Sequence, residues 1–281
     1  MSASPFRDDL LSGRVALVTG GGTGIGLATA RELARQGATV VIASRKAENV
    51  LPAAAGLSAE LGRPVHGLVL DIRDRERIAA AVGELLETHG GIDILVNNGG
   101  GQYLSSAEQI SARGWDAVIA TNLTGTWELT REVARRSMLA RGGSVVNVTM
   151  LTARGFPGMA HSVAARAGVE GLTRTLAVEW ATAGIRVNCV APGIIASSGL
   201  NNYPAGLSLG RQMQSTIPMK RLGSCEETAW AIAFLAGPVG SYITGQTLTV
   251  DGGRSLWGDG WPIPDPEELP EVVLPKNPWE E

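Results

Sequence analysis

The chain has 281 residues, 44% of them hydrophobic and 18% charged, with a formal net charge of −3. That length suits one large α/β domain, and that charge offers no global field to draw in nucleic acid or an anionic membrane. Two cysteines, Cys189 and Cys225, exclude a disulfide framework and fit a reducing compartment.

In chain order, the first residues, MSASPFRDDLLSG, hold no apolar signal core and read as an extension over 1–12. Val15–Val18 reads as a buried strand. The run Thr19-Gly20-Gly21-Gly22-Thr23-Gly24-Ile25-Gly26 follows it, and Leu27 to Gly37 then has helical spacing. Strand, glycine turn and helix start together form a diphosphate cradle, with bare backbone for close approach and open N–H groups for the phosphates. Gly20, Gly22, Thr23, Gly24, Ile25 and Gly26 are therefore candidate dinucleotide contacts. A second strand, Thr39–Ala43, ends in Ser44-Arg45-Lys46. An acidic residue here would bind both ribose hydroxyls; a hydroxyl and two cations suit a 2′-phosphate, so NADPH is expected over NADH. Asp71, after a third strand at Val65–Leu70, either accepts from the adenine amino group or caps the next helix, Arg75–His89.

The fourth strand, Ile94–Asn97, leads into Asn98-Gly99-Gly100, where glycines let a nicotinamide ribose approach the sheet edge. A helical stretch, Ala112–Leu139, precedes a strand at Ser144–Thr149; Met159–Ala181 is helical, Arg186–Val190 a strand, Glu226–Ala236 helical and Thr247–Val250 a strand. Seven strands with intervening helices imply a single-domain Rossmann fold, a doubly wound parallel sheet covered on both faces. The domain is expected over 13–255. Two stretches break the alternation. Residues 193–222 form a long segment expected to act as a substrate lid. The Pro-rich acidic tail, 256–281, cannot be regular over its length, and Trp257 and Trp261 suggest that its start docks on a subunit. No apolar run approaches the ~20 residues of a membrane span. The last residues are not a Ser-Lys-Leu address, so the cytoplasm is the expected location.

Thr19–Gly26, Asp71, Asn97-Asn98-Gly99-Gly100, Asn122 and Pro192-Gly193 match, in order and spacing, the short-chain dehydrogenase/reductase family, which the chain resembles over roughly residues 13–255. The resemblance implies a nicotinamide cofactor, a homotetramer, and cofactor contacts that extend to Ile72, Pro192, Gly193, Ile195 and Ser197. It also implies an Asn, Ser, Tyr, Lys active site, from which this sequence departs. The lysine position holds Arg166 and the tyrosine position Ser162. The serine position holds Thr149, or Met150 on a one-residue shift; the asparagine survives as Asn122. LVNNGGGQYLSSAE, TNLTGTW, AHSVAARAGVEGLTRTLAVEW, GIRVNCVAPG and DGGRSL together resemble the peroxisomal trans-2-enoyl-CoA reductases and their bacterial relatives. The 2,4-dienoyl-CoA reductases also carry serine at the tyrosine position, but they keep the lysine and place a tyrosine where this chain has Leu151, a poorer fit.

Reducing an activated C=C places charge on a thioester oxygen, so the site needs donors there more than an acid at a hydroxyl. Ser162 is the expected donor, with Thr149 or Gln102 assisting. Arg166, permanently charged, is expected to hold the nicotinamide ribose, and Asn122 to fix helix backbone and a water. His161 is expected to be packed rather than to act as a base. His66 and His89 lack ligand partners at metal spacing, so no metal is expected. The expected function is therefore NADPH-dependent reduction of a trans-2-enoyl thioester. The alternatives are an alcohol or carbonyl dehydrogenase on a hydrophobic, terpenoid-like substrate, and a dinucleotide-binding protein without catalysis.

Overall fold

The computed structural model describes residues 4–202, 211–257 and 262–274. Among them the strands are β1 (Val15–Thr19), β2 (Thr39–Ser44), β3 (Val65–Val69), β4 (Ile94–Asn97), β5 (Gly143–Val148), β6 (Ile185–Pro192), β7 (Ile195–Ala196), β8 (Gly223–Ser224) and β9 (Thr247–Val250). Seven of them make one parallel sheet in the order β3-β2-β1-β4-β5-β6-β9, and β7 and β8 pair separately. The helices are α1 (Gly24–Arg35), α2 (Ala47–Leu61), α3 (Arg75–His89), α4 (Ala112–Ile119), α5 (Gly125–Val133), α6 (Leu139–Arg141), α7 (Ala160–Glu179), α8 (Arg211–Ser215) and α9 (Cys225–Ala236).

Alternation along each strand sends side chains into two separate cores. Val18, Val40, Ile42, Val96 and Val146 pack with Leu33 of α1, Val50 of α2 and Ile232 of α9. Leu17, Val41, Leu95, Val145 and Val187 pack with Ile78 of α3, Leu129 of α5 and Leu176 of α7. Both faces are covered, which is why these strands are apolar at consecutive positions. Each fully buried Leu or Ile stabilises the fold by about 1.5–3 kcal/mol.

The chain winds outward from β1 to β3, then returns to lay β4 on the other side of β1. The order reverses between β1 and β4, and a crevice opens at their carboxyl ends. The glycine turn and the Asn98–Gly101 segment both start there.

Some expectations shift. Residues 47–61 form α2, a helix the periodicity hid because Pro52 lies inside it and lacks an N–H to donate. The stretch Ala112–Leu139 is helical but interrupted by π turns at Ala120–Thr124 and Ala134–Met138. β5 ends at Val148, one residue short of Thr149, and β6 runs on to Pro192. The segment 193–222 is not plain loop: β7, a 3-10 turn at Ser198–Asn202 and α8 lie in it. Residues 203–210, with Tyr203, lie outside the described residues, as does Trp261.

The tail over 262–274 has no regular structure and lies against residues of the 193–222 segment. Lys220 Nζ pairs with Asp265 at 3.0 Å and sits 5.4 Å from the Trp257 ring centroid; Gln214 Nε2 donates to the Pro270 carbonyl at 2.5 Å. Lys220 is held at φ 55, in the left-handed region that side chains avoid, so these contacts fix a strained residue. Among the described residues no helix is long and apolar enough to cross a membrane.

Candidate active site

A cavity of about 310 Å³ occupies the crevice between β1 and β4. Gly20 at φ +63 and Gly24 at φ +53 turn the chain in the left-handed region, so glycine is required at both. α1 starts at Gly24; Thr23 at its N-cap makes no side-chain capping bond, and Gly24 and Ile25 line the cavity. The first N–H groups of a helix lack intrahelical partners, so this end suits phosphate. A Cβ on Gly26 would sit 2.5 Å from Asn98 Nδ2 and against the Gly20 carbonyl. Gly26 thus permits close packing rather than facing the cavity. Asn98 Nδ2 donates to the Thr19 and Gly20 carbonyls at 3.1 and 3.2 Å, and Gly99 N donates to Thr19 Oγ1 at 2.9 Å. The ends of β1 and β4 are stitched by these bonds. The cradle fits a dinucleotide diphosphate.

Gly20, Gly22, Thr23, Gly24, Ile25, Ser44, Arg45, Ile72, Asn98, Gly99, Gly100 and Ser197 all line this cavity. Others do not. Lys46 is exposed and pairs with Glu48 at 3.6 Å. Asp71 is gripped by Arg73, whose Nε and Nη2 donate at 2.9 and 2.5 Å, and this holds its carboxyl below the usual range. The cap of α3 is Asp74 instead, accepting from Arg77 N. Gly193 N donates to the Val250 carbonyl, and Ile195 is buried with Cys225 and Ala229. Pro192 closes β6, paired with Val250. Thr19, Asn49, Leu70 and Thr121 line the cavity without having been singled out. Thr19 opens the glycine run, Leu70 precedes Asp71 and Thr121 precedes Asn122, so Asn49 alone of the four had no signal beside it.

The reaction centre is built on α7. Ser162 and Arg166 are one turn apart and share a face. Ser162 Oγ donates to Gln102 Oε1 at 2.7 Å and touches Met150 Sδ at 3.6 Å. Ser162 N donates to His161 Nδ1 at 2.8 Å, and the His161 ring meets Tyr103 edge-on at 4.5 Å. His161 is packed, as expected, behind the serine. Arg166 is 8% exposed; its Nη1 donates to the Val148 carbonyl at 2.7 Å, and burial pulls its pKa down to about 10. It stays a cation at neutral pH. Its Nη2 lies against Gly100, where any Cβ would collide with it; Arg166 thus packs behind Gly100 and does not itself line the cavity.

Asn122 sits in the π turn between α4 and α5, a distortion that recurs at functional sites. Its side chain clamps Gly101, accepting from the Gly101 N–H at 2.9 Å and donating to its carbonyl at 3.0 Å. It thereby fixes the backbone beside Gln102. Thr149 does not join the group: its N–H and hydroxyl both go to the Val190 carbonyl, at 2.8 and 3.3 Å, because it continues the β5–β6 ladder. The residue that reaches Ser162 is Met150. Both cysteines are buried, and burial pushes their thiols up to about 11 at Cys189 and about 12 at Cys225. Neither is poised as a nucleophile.

The family model described as Enoyl-(Acyl carrier protein) reductase matches residues 20–255. Peroxisomal 2,4-dienoyl-CoA reductase, (3E)-enoyl-CoA-producing, of Danio rerio is 40% identical over 258 residues, 89% of this chain and 84% of that relative. The 3-oxoacyl-acyl-carrier-protein reductase FabG of Thermotoga maritima is 38% identical over 247 residues, 86% of this chain and 98% of that relative. Among solved structures, the citronellol catabolism dehydrogenase AtuB of Pseudomonas aeruginosa superposes with a TM-score of 0.81 at 43% identity, covering 90% of this chain and 99% of that one. The dienoyl reductases, ranked behind the enoyl reductases on residue grounds, are thus among the similar relatives.

Proposed function

The chain belongs to the short-chain dehydrogenase/reductase family, whose members bind a nicotinamide dinucleotide, and on that premise we propose that it reduces the C=C bond of a trans-2-enoyl thioester with NADPH. The catalytic unit in this reading is residues 13–255, flanked by 1–12 and 256–281, and its expected state is a cytoplasmic homotetramer. When bound, the dinucleotide would supply a hydride to the β-carbon, so negative charge would gather on the thioester oxygen, and the α-carbon would then take its proton from water.

The observation that carries the reading is the Ser162–Gln102 hydroxyl–amide pair beside the buried Arg166, where a phenol and an ammonium would serve ketone reduction. Ser162 spends its proton on Gln102 Oε1. A half rotation of the Gln102 amide presents Nε2 to the serine instead, and frees the hydroxyl proton for the thioester oxygen. Arg166, anchored on the Val148 carbonyl, makes the potential there more positive without giving up its proton. An alkoxide formed from a ketone needs a proton delivered in place, and neither a serine hydroxyl nor a guanidinium is a competent acid near neutral pH. The names of two relatives, both enzymes of acyl-thioester substrates, support a thioester substrate, while the 3-oxoacyl reduction named for the second is ketone chemistry. Ser44 and Arg45 at the cavity wall support the choice of NADPH.

The likeness to AtuB favours a second reading, a terpenoid alcohol dehydrogenase. Among the described residues its proton donor would be Tyr103, which reaches His161 but is 39% exposed.

The test is NADPH consumption with a medium-chain trans-2-enoyl-CoA, with NADH and with citronellol plus NADP in parallel. Saturable NADPH-linked turnover of the thioester is expected, and Ser162→Ala should lower kcat by about 10²–10³, as loss of an oxyanion donor does. Turnover of citronellol alone would transfer the assignment to the second reading. Tight NADPH binding with no turnover would favour a noncatalytic role.

A further inference from the structure

A second and larger cavity, about 730 Å³, lies on the other side of the Ser162 centre, and the cofactor does not account for it. Met150 is part of its wall, so Ser162 Oγ reaches that wall at 3.6 Å, while Arg166 backs the cofactor crevice at Gly100. The cavity is framed by the β5–α7 segment, α7 and the start of β9, and three arginines stand in it: Arg154, Arg174 and Arg254. Among the described residues none of the three forms an ion pair with a carboxylate. Arg154 Nη1 donates to the Arg254 carbonyl at 3.4 Å and to the Trp257 carbonyl, while the Arg254 guanidinium lies 5.7 Å from the Phe156 ring centroid.

The cavity wall carries an excess of cations, three arginines to the one carboxyl of Glu170. Burial, then the charge of Arg154, pull the Arg254 guanidinium below its ordinary pKa, partly offset by Asp251. Glu170, on the same wall, is the acid best placed to neutralise the group. Burial raises its pKa, against a hydroxyl bond from Thr152 at 3.1 Å and the charge of Arg174. Three guanidiniums against one lining carboxyl in a concave site leave net positive charge, which favours an anionic ligand. The volume is that of a pocket for a nucleotide-sized molecule.

We propose that this cavity binds the phosphorylated nucleotide end of a coenzyme A-type thioester, leaving the acyl thioester to reach Ser162 past Met150. The proposal rests on the enoyl-thioester reading and names the carrier. Arginine is suited to it because its planar fork binds phosphate through two parallel bonds.

The test is calorimetric titration of the full chain, held saturated with NADPH, with coenzyme A as the probe. Saturation keeps the nucleotide from entering the β1–β4 crevice. Binding is expected, and Arg174→Gln and Arg254→Gln should each weaken it about tenfold, the usual scale of a charged hydrogen bond. Arg174 is exposed and makes no ion pair among the described residues, so Arg174→Gln should melt like the parent. Dephospho-coenzyme A should also bind more weakly. In turnover, the same variants should raise KM for the enoyl-CoA and leave KM for the matching enoyl-pantetheine thioester unchanged. No coenzyme A binding, or equal binding by parent and variants, overturns the proposal. If both thioesters turn over equally well in parent and variants, the reductase stands and the cavity assignment falls. If coenzyme A binds through the arginines but no thioester is reduced, the cavity assignment stands and the enoyl reading falls.

Discussion

The crevice at β1 and β4 and the segment 193–222, which we propose as the substrate lid, with its tail are held together in opposite ways. At the crevice the contacts are made by backbone: left-handed glycines, helix N–H groups, and carbonyls of Thr19 and Gly20 stitched to Asn98. At the lid they are made by single long side chains, Lys220 to Asp265, Gln214 to Pro270 and Arg154 to Trp257. Backbone geometry tolerates little change, because a misplaced Cβ meets a carbonyl that cannot move. A side-chain strap can be released at small cost. The first region suits a cofactor of fixed shape, and the second a substrate whose tail must enter and leave.

The sharpest way to break that comparison is Gly26→Val. Its branched side chain would drive into the Gly20 carbonyl and Asn98, both part of the stitching. Overpacking of this kind costs about 3 kcal/mol. Chemical denaturation should show that loss, together with abolished NADPH binding. A variant of parental stability would show that the crevice is as pliable as the lid. Next in size is Arg45→Ala, which removes a guanidinium from the cavity wall. NADPH affinity should fall by about 1.5–3 kcal/mol, the scale of a charged hydrogen bond, while NADH affinity stays the same. Equal loss for both would place Arg45 away from the 2′-phosphate.

How far these regions were legible follows from the same difference. The strand runs Val15–Val18 and Val40–Ala43 were readable because consecutive apolar residues have one common fate in a covered parallel sheet. The glycine turn was readable because φ +63 at Gly20 and φ +53 at Gly24 demand a residue type. Ser162 and Gln102 were named, and they meet. Thr149 was named and turns away, since whether a strand's ladder stops one residue earlier or later is not written in composition. Asp71 was left between two roles, and Arg73, two residues on, takes its carboxylate instead. The lid contacts were not readable, because each joins residues far apart in sequence through side chains that are ordinarily solvated.

A smaller effect separates the hinge of the lid from the lid itself. Glu227 completes a capping box with Ser224 at the start of α9 and is forked by Arg221, with bonds of 2.6 and 2.9 Å. Arg221, opposed by burial, lowers its pKa. A carboxyl with a lowered folded pKa contributes stability above its ordinary value of 4.5, and that contribution is lost as pH falls through the folded pKa. Glu227→Gln should therefore cost about 1 kcal/mol near neutral pH, and the gap between variant and parent melting temperatures should close on acidification below 4.5. A gap independent of pH would mean that the packing of the side chain, not its charge, holds the hinge.

The smallest expected change tests the strap directly. Lys220 is 7% exposed at its side chain and Asp265 57%, so the pair sits at the boundary with water, where an ion pair contributes no more than about 1 kcal/mol. Asp265→Asn keeps the shape and removes the charge, leaving Lys220 with the Ser215 carbonyl at 3.3 Å and the Trp257 ring. Global stability should barely move. Amide exchange should rise over residues 214–222, where the strap holds α8 and the approach to β8, and stay unchanged over α1. KM for substrate should shift while NADPH affinity does not, since the crevice depends on none of these side chains. Exchange that rises equally in α1 would mean that lid and crevice open as one unit. The division between a backbone-built cofactor end and a side-chain-held substrate end would then fail.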